Sequence, residues 1–405
     1  MRKQLPLLFC FLLCFSLNCY IECSEEFSFE LLKGTVDDCC CSYGKVFAKN
    51  QKIFHPLISQ IAKRDFFKFF RVDYLKECPF WVEDYVCGIE DDSGCSICEC
   101  SDDELPKFWD QPISDTLELK TDITEETFCE EDCTSSQWIQ EEETGDEVIL
   151  NLQKNPPKFT NYSGVGANRI WLAIYNENCF NDYGECREMS IFYKLFSGLH
   201  GDITLHIAEK YIKNGKTEPN VDFYYWKLHK YPDRISNVFF TYLFLLRSVQ
   251  KAREYLDELP YPTISGTPDL EAQKQMKLFT KSLESCSPGF DESGLFSEIP
   301  ELKEEMMKQF RNISKLFDCV SCVSCRVHAK LQLLGIATSV RILFAPNTEN
   351  VVKTLKRNEI SALINTVENF SSSIAYIGNM EKRLQERNEK EKNNKKDQEN
   401  SVKEL

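Results

Sequence analysis

Three evenly spaced cysteines, Cys319-Val-Ser-Cys322-Val-Ser-Cys325, run directly into Arg326-Val-His-Ala-Lys-Leu. On a helix a three-residue step keeps side chains roughly on one face, each within reach of its neighbour. At a helix start the same step falls within the Cα separation that a disulfide accepts. A helix N-terminus also favours the reactive thiolate. A middle cysteine able to pair with either neighbour suits thiol–disulfide exchange better than a fixed staple. Two other chemistries compete. A ferredoxin-type iron–sulfur run needs a fourth cysteine four positions on, followed by proline, but Ala329 and Lys330 stand there. Zinc would recruit His328 and a further cysteine, whereas structural zinc sites usually draw on two separated pairs. No metal is therefore expected.

Thiol–disulfide exchange needs an oxidising compartment, and the N-terminus points to one. Arg2 and Lys3 precede an apolar run over residues 5–17 and a short polar stretch. That is the layout of a secretory signal peptide, assigned to residues 1–22. No other run reaches the ~18 apolar residues of a membrane-spanning helix. Sequons at Asn161, Asn312 and Asn369 are compatible with secretory entry. Twenty cysteines in 405 residues are dense for a chain long enough to bury a large core, so they need another rationale. They cluster around residues 39–41, 78–100, 129–133, 179–186 and 319–325, as exchange between neighbouring pairs would require. Setting aside Cys10, Cys14 and Cys19 leaves seventeen, an odd number, so at least one thiol is free or labile.

A net charge of −16 argues against nucleic acid and against an anionic membrane surface as principal partners. Much of the acid falls between Glu90 and Glu147, which reads as solvated loop: an acidic loop over about residues 101–147. Residues 381–405 are charged and nearly free of apolar side chains, and read as a frayed helix or disordered tail. The ending Val402-Lys-Glu-Leu405 is similar to a retention signal but lacks its acidic residue in register.

The elements that must position the cysteines are helical. Ile170 and Ile174, then Met189, Phe192, Tyr193 and Phe196, then Val238, Tyr242, Leu245 and Val249 recur at helical spacing, and residues 340–344 and 360–377 continue the pattern. Alternating strand patterns are scarce. Gly164-Val-Gly166 is no dinucleotide fingerprint, because no strand precedes it and no third glycine follows in register. The expected fold is mostly α: one helical domain over residues 23–380, with loop-rich N-terminal material and no Rossmann fold.

Further segments converge on one family. They are Cys78-Pro-Phe-Trp81 with Cys87-Gly and Cys95-Ser-Ile-Cys-Glu-Cys100; Thr160-Asn-Tyr-Ser-Gly with Arg169-Ile-Trp171 and Ile174-Tyr-Asn-Glu-Asn-Cys179; Phe192-Tyr-Lys-Leu-Phe-Ser197-Gly-Leu-His200; residues 237–247 ending in Arg247; and Asp318 with the triple cysteine. In this order they resemble the endoplasmic oxidoreductins, flavin-dependent thiol oxidases of the endoplasmic reticulum. The resemblance implies that Cys322 and Cys325 form the disulfide beside the flavin, and that Cys319 is tied structurally to Cys78. It implies a shuttle disulfide, Cys87–Cys95, on a mobile loop over about residues 84–104, and a structural pair, Cys179–Cys186. The FAD contacts would fall on Lys158, Thr160, Trp171, Ser197, His200, Arg234 and Arg247.

The implied activity is disulfide formation de novo in the endoplasmic reticulum lumen. Protein disulfide isomerase would be oxidised through the shuttle pair, and electrons would pass via the inner disulfide and FAD to oxygen, giving hydrogen peroxide. A monomer is expected, lumenal or peripheral on the lumenal face of the membrane. This chain departs from the family pattern in places. Cys87 and Cys95 enclose seven residues where four are usual, a spacing that Cys95 and Cys100 do have; Cys87–Cys95 is favoured because Cys87 follows Cys-Pro-Phe-Trp at the family's distance, with Cys95–Cys100 as the alternative. Lys158 stands where arginine is common, keeping charge without the bidentate fork. No counterpart is evident of the extra cysteine with which some animal members switch the loop off.

The residue types fit these roles. Trp171 offers a rigid π surface for a flat ring, although a core tryptophan is its ordinary reading. Arg234 and Arg247 could bind a pyrophosphate bidentately, although Arg247 alone reads as a snorkelling helix residue. His200 and His206 do not share a helical face, so they make no metal pair. The reading from another class is a non-catalytic secreted protein whose triple cysteine is structural or zinc-bound.

Overall fold

A computed structural model describes residues 34–36, 41–73, 140–144, 147–153, 170–175, 187–213, 216–263, 265–284, 295–296, 301–318, 323–345 and 348–403. The molecule is mostly helical, as the apolar periodicity requires. Four long helices form the centre: α5 (Arg187–Glu209), α7 (Pro232–Lys251), α11 (Val323–Leu343) and α13 (Arg357–Lys403). α5 packs chiefly on α7 and α11 on α13, and the two pairs close on one another through α7 and α13. Small residues allow the close approach. A β-carbon on Gly198 of α5 would lie 2.1 Å from Thr241 Oγ1, and one on Gly335 of α11 would lie 2.1 Å from Thr366 Oγ1.

Shorter elements surround this bundle. α1 (Tyr43–Lys49) passes through a π-helical turn (Asn50–Phe54) into α2 (His55–Ile61). The buried Asn50 side chain donates to the Ser371 carbonyl at 2.8 Å and accepts from Tyr242 and Ser371 hydroxyls at 2.7 Å. α3 (Asp65–Lys68) leads into β1 (Phe69–Asp73), which pairs antiparallel with β3 (Glu147–Asn151); β3 in turn pairs with β2 (Gln140–Thr144). Phe70, Leu150 and Leu152 of this sheet pack on Val327, Leu331 and Leu334, and so brace the start of α11. A short helix, α4, spans residues 170–175. β4 (Tyr211–Lys213) and β5 (Lys216–Glu218) form a hairpin, followed by α6 (Val221–Tyr224) and a π-helical stretch (Tyr225–His229). α9 (Leu270–Leu283) lies on α2 and α8 (Arg253–Glu258), and α10 (Glu301–Asp318) lies on α11; α12 (Thr348–Lys353) precedes α13. Every strand pairing among the described residues is antiparallel, so no Rossmann-type sheet is formed.

Three segments read from the sequence can be placed. The charged segment from Glu381, for which a helix or a disordered tail was expected, continues α13 to Lys403. Leu384 is buried there, and the buried Glu381 carboxylate accepts from the Tyr224 hydroxyl and stands 2.8 Å from His229 Nδ1. The end of the acidic loop is not all loop: residues 140–144 form β2, drawn into the sheet by β3. Asn369 of the third sequon is buried, and its carbonyl faces His206 Nε2 at 3.2 Å. Among the described residues no helix is long and apolar enough to cross a membrane.

Candidate active site

α4 presents Trp171 and Tyr175 four residues apart, hence on one face, and buries both, with 3% and 1% of their surface exposed. The Trp171 ring stacks on the His200 imidazole at 3.9 Å between centroids and 8° between planes. On α5, Ser197 precedes His200 by three residues and is fully buried, accepting a 2.9 Å hydrogen bond from Asn237 Nδ2 of α7. Arg234 occupies the first turn of α7. Its guanidinium lies over the Tyr231 ring at 4.1 Å and donates to the Lys227 carbonyl at 2.6 Å, with 5% of the residue exposed. Three remote segments thus converge on one place and bring together four of the seven cofactor residues expected from the sequence, Trp171, Ser197, His200 and Arg234.

The electrostatics are unusual for a protein interior. Burial lowers Arg234 to about 10. Lys227 is lowered by burial and then by the neighbouring Arg234 charge, and no carboxylate lies within ion-pair distance of it among the described residues. Dense packing around His200, followed by Arg234 and Lys227, holds its imidazole well below the ordinary range, so it is neutral. Cations that burial disfavours, beside an aromatic slab and a neutral imidazole, suit a flat-ringed ligand bearing negative charge. The donor set therefore fits FAD, with its ring systems and pyrophosphate.

Phe317, in the last turn of α10, lies edge-on to Trp171 at 5.9 Å. α10 ends at Asp318 and α11 begins at Val323. The Cys325 backbone lies in the first turn of α11. Arg247 stands on the same helix as Arg234 but ~20 Å along its axis at 1.5 Å per residue. The antiparallel register of Gly198 against Thr241 puts it near the first turns of α5, apart from the other four. Cys78, Cys87, Cys95, Lys158, Thr160, Cys179, Cys186, Cys319 and Cys322 lie outside the described residues, and so do the pairings drawn between them.

Sequence reasoning missed Lys227, Tyr175 and Phe317. Tyr175 stands inside a quoted motif without a role. Lys227 precedes Arg234 by seven residues, two helical turns, a weak signal in a run rich in aromatic residues. Nothing in the sequence marks Phe317. His206 turns away from His200 into a separate buried network with Asp202 and Asn369.

Comparison with known proteins agrees with this arrangement. The family model described as Endoplasmic Reticulum Oxidoreductin 1 (ERO1) matches residues 53–377. Endoplasmic reticulum oxidoreductin-2 of Arabidopsis thaliana is 38% identical over 372 residues, covering 86% of this chain and 78% of that one. Endoplasmic oxidoreductin-1 of Saccharomyces cerevisiae is 32% identical over 376 residues, covering 85% of this chain and 65% of its own length. A solved structure of Ero1p, described as a source of disulfide bonds for oxidative protein folding in the cell, superposes with a TM-score of 0.61 at 28% identity, covering 86% of this chain and 100% of that one. Family match, shared fold and the helical, Rossmann-free site lead to one conclusion: this chain belongs to the endoplasmic reticulum oxidoreductin family.

Proposed function

We propose that this protein is an FAD-dependent thiol oxidase of the endoplasmic reticulum lumen, making disulfides for isomerase-type client proteins with oxygen as the final acceptor. The observation that carries this reading is the Trp171 ring stacked on the His200 imidazole at 3.9 Å beside the buried Arg234, with Phe317, two residues before the triple cysteine in the sequence, edge-on to the same tryptophan. Trp171 and His200 serve a flat ring, and Arg234 with Lys227 serves the pyrophosphate. The family resemblance adds Lys158, Thr160, Ser197 and Arg247, the last reaching an extended ligand from ~20 Å along α7 from Arg234.

The chain's own chemistry is two successive exchanges. A reduced client attacks the Cys87–Cys95 disulfide through a mixed disulfide and leaves oxidised, while Cys87 and Cys95 become thiols. The same exchange then passes the electron pair to Cys322–Cys325. Bound FAD supplies the route for that pair to oxygen, with hydrogen peroxide as the product. One disulfide must meet a bulky client and the other a buried ring, so two pairs are needed where one would have to move between both.

The test is the absorption spectrum of the purified protein together with dithiol-driven oxygen consumption. Flavin absorbance and turnover are expected. A colourless, inactive protein carrying zinc would overturn the reading.

A further inference from the structure

Behind His200 lies a chain of hydroxyl and amide groups that the reaction does not require. Asn237 Nδ2 donates to Ser197 Oγ at 2.9 Å. Burial and then Tyr193 push the Tyr175 phenol well above its ordinary range, while Arg234 and the Ser197 hydroxyl, acting as a hydrogen-bond donor toward the phenol oxygen, oppose that rise. Tyr175 in turn lies 3.4 Å from His200 Nδ1 through its hydroxyl. The distance is at the long end for such a bond, as is common where a site tightens around its ligand. All three residues behind the imidazole are buried, so each hydroxyl proton must be donated within the protein. Read from the amide outward, each group accepts from the one behind it and donates to the one ahead.

A neutral imidazole has two tautomers, and the hydrogen bond at one ring nitrogen decides which is present. Trp171, stacked on the His200 ring at 3.9 Å, holds the plane of that ring while Tyr175 addresses its Nδ1 edge. Arg234 and Lys227 oppose a second proton on it.

We propose that Tyr175, set by Ser197 and Asn237, is a positioning residue that fixes His200 as the tautomer protonated at Nε2, so that the imidazole meets its ligand as a hydrogen-bond donor through Nε2. The use of that donor rests on the FAD reading above, whereas the tautomer itself does not. Tyr175 and Asn237 touch no reacting atom in this account; they act through His200. A donor suits the electron-rich oxygens and ring nitrogens of a flavin dinucleotide, which the opposite tautomer would face with a lone pair.

The experiment is nitrogen-15 NMR of histidine-labelled protein as purified, with any bound flavin retained. The chain has five histidines, and His200→Gln assigns the resonance. Wild type should show an unprotonated Nδ1 and a protonated Nε2. Tyr175→Phe, which removes only the hydroxyl, should shift the signal from one tautomer to a mixture. It should also raise the FAD dissociation constant by up to about tenfold, the size of one hydrogen bond. A wild-type His200 protonated at Nδ1 overturns the proposal without any variant having to fold, and so does a folded Tyr175→Phe protein whose tautomer is unchanged. Protein without flavin would refute the FAD reading instead, and the tautomer result would still decide this one.

Discussion

Gly198 and Thr241 are in contact across the α5–α7 interface: a β-carbon built on the glycine meets the threonine hydroxyl at 2.1 Å and the Asn237 carbonyl at 2.5 Å. Backbone on the far side cannot swing away as a side chain can, so Gly198→Ala must push the helices apart. Overpacking of this kind costs about 1–3 kcal/mol. Because Ser197 and His200 flank the glycine, the same change should weaken flavin retention. Denaturant unfolding and the flavin-to-protein absorbance ratio measure both effects; an unchanged unfolding midpoint would show that the helices do not meet here.

Asp202 is fully buried in the bundle, accepting from Ser373 Oγ at 2.6 Å and Gln332 Nε2 at 2.5 Å. Burial raises its carboxyl to about 7, with the Glu368 charge adding to the shift and the two hydrogen bonds opposing it. The folded state therefore holds this proton more tightly than the unfolded chain. The associated stability is fully present below the ordinary carboxylate range and is lost as pH rises through about 7. At ~1.4 kcal/mol per pKa unit this is on the order of 4 kcal/mol. His206, 3.9 Å away and lowered to about 3 by burial, works in the opposite sense: its contribution is lost as pH falls toward 3. Asp202→Asn, neutral at every pH, separates the two. Its stability relative to wild type should increase between about pH 5 and about pH 8, and a difference independent of pH would refute the assignment.

Loss of either inner cysteine should stop the reaction. Cys322→Ala and Cys325→Ala are each expected to abolish dithiol-driven oxygen consumption, measured with a small reductant as well as a protein client. Cys319→Ala should leave a less stable protein instead, by about 2–5 kcal/mol if it removes a structural disulfide. Substantial turnover by Cys325→Ala would sink the inner-pair reading.

The shuttle register is decided by client size. Cys87→Ala or Cys95→Ala should end oxidation of a protein disulfide isomerase while sparing a small thiol that reaches Cys322–Cys325 directly. Should Cys87→Ala retain full activity on the protein client and Cys100→Ala lose it, the shuttle is Cys95–Cys100.

Glu381 anchors the outer half of α13. Truncating it strands the buried Tyr224 hydroxyl and removes the partner of His229, so Glu381→Ala should cost about 1–3 kcal/mol. Arg387→Ala breaks only the surface pair with Asp222 and should cost less than about 1 kcal/mol. Equal losses in thermal or denaturant unfolding would place the anchor elsewhere.

The legible part of this protein was local. Periodic apolar residues define α5, α7 and α13 because a helix repeats its buried face every three to four residues, whatever it packs against. The cysteine spacing and the Ser197-Gly-Leu-His200 motif likewise bring their chemistry within a turn or two, and the motif order was enough to suggest the family. For the charged stretch after Met380 composition left helix and tail both open, because it reports hydration cost alone. The anchors of that stretch, Tyr224 and Asp222, lie 157 and 165 residues away. Lys227, Tyr175 and Phe317 were invisible for a related reason. Each acquires its role from burial beside a partner on another element, and burial is what turns a lysine, a tyrosine or a phenylalanine into part of a site. Only the tertiary structure decided that Trp171, within the buried core, stacks on His200, and that Arg247 stands apart from Arg234, because helix packing sets distances between segments that no spacing along the chain encodes.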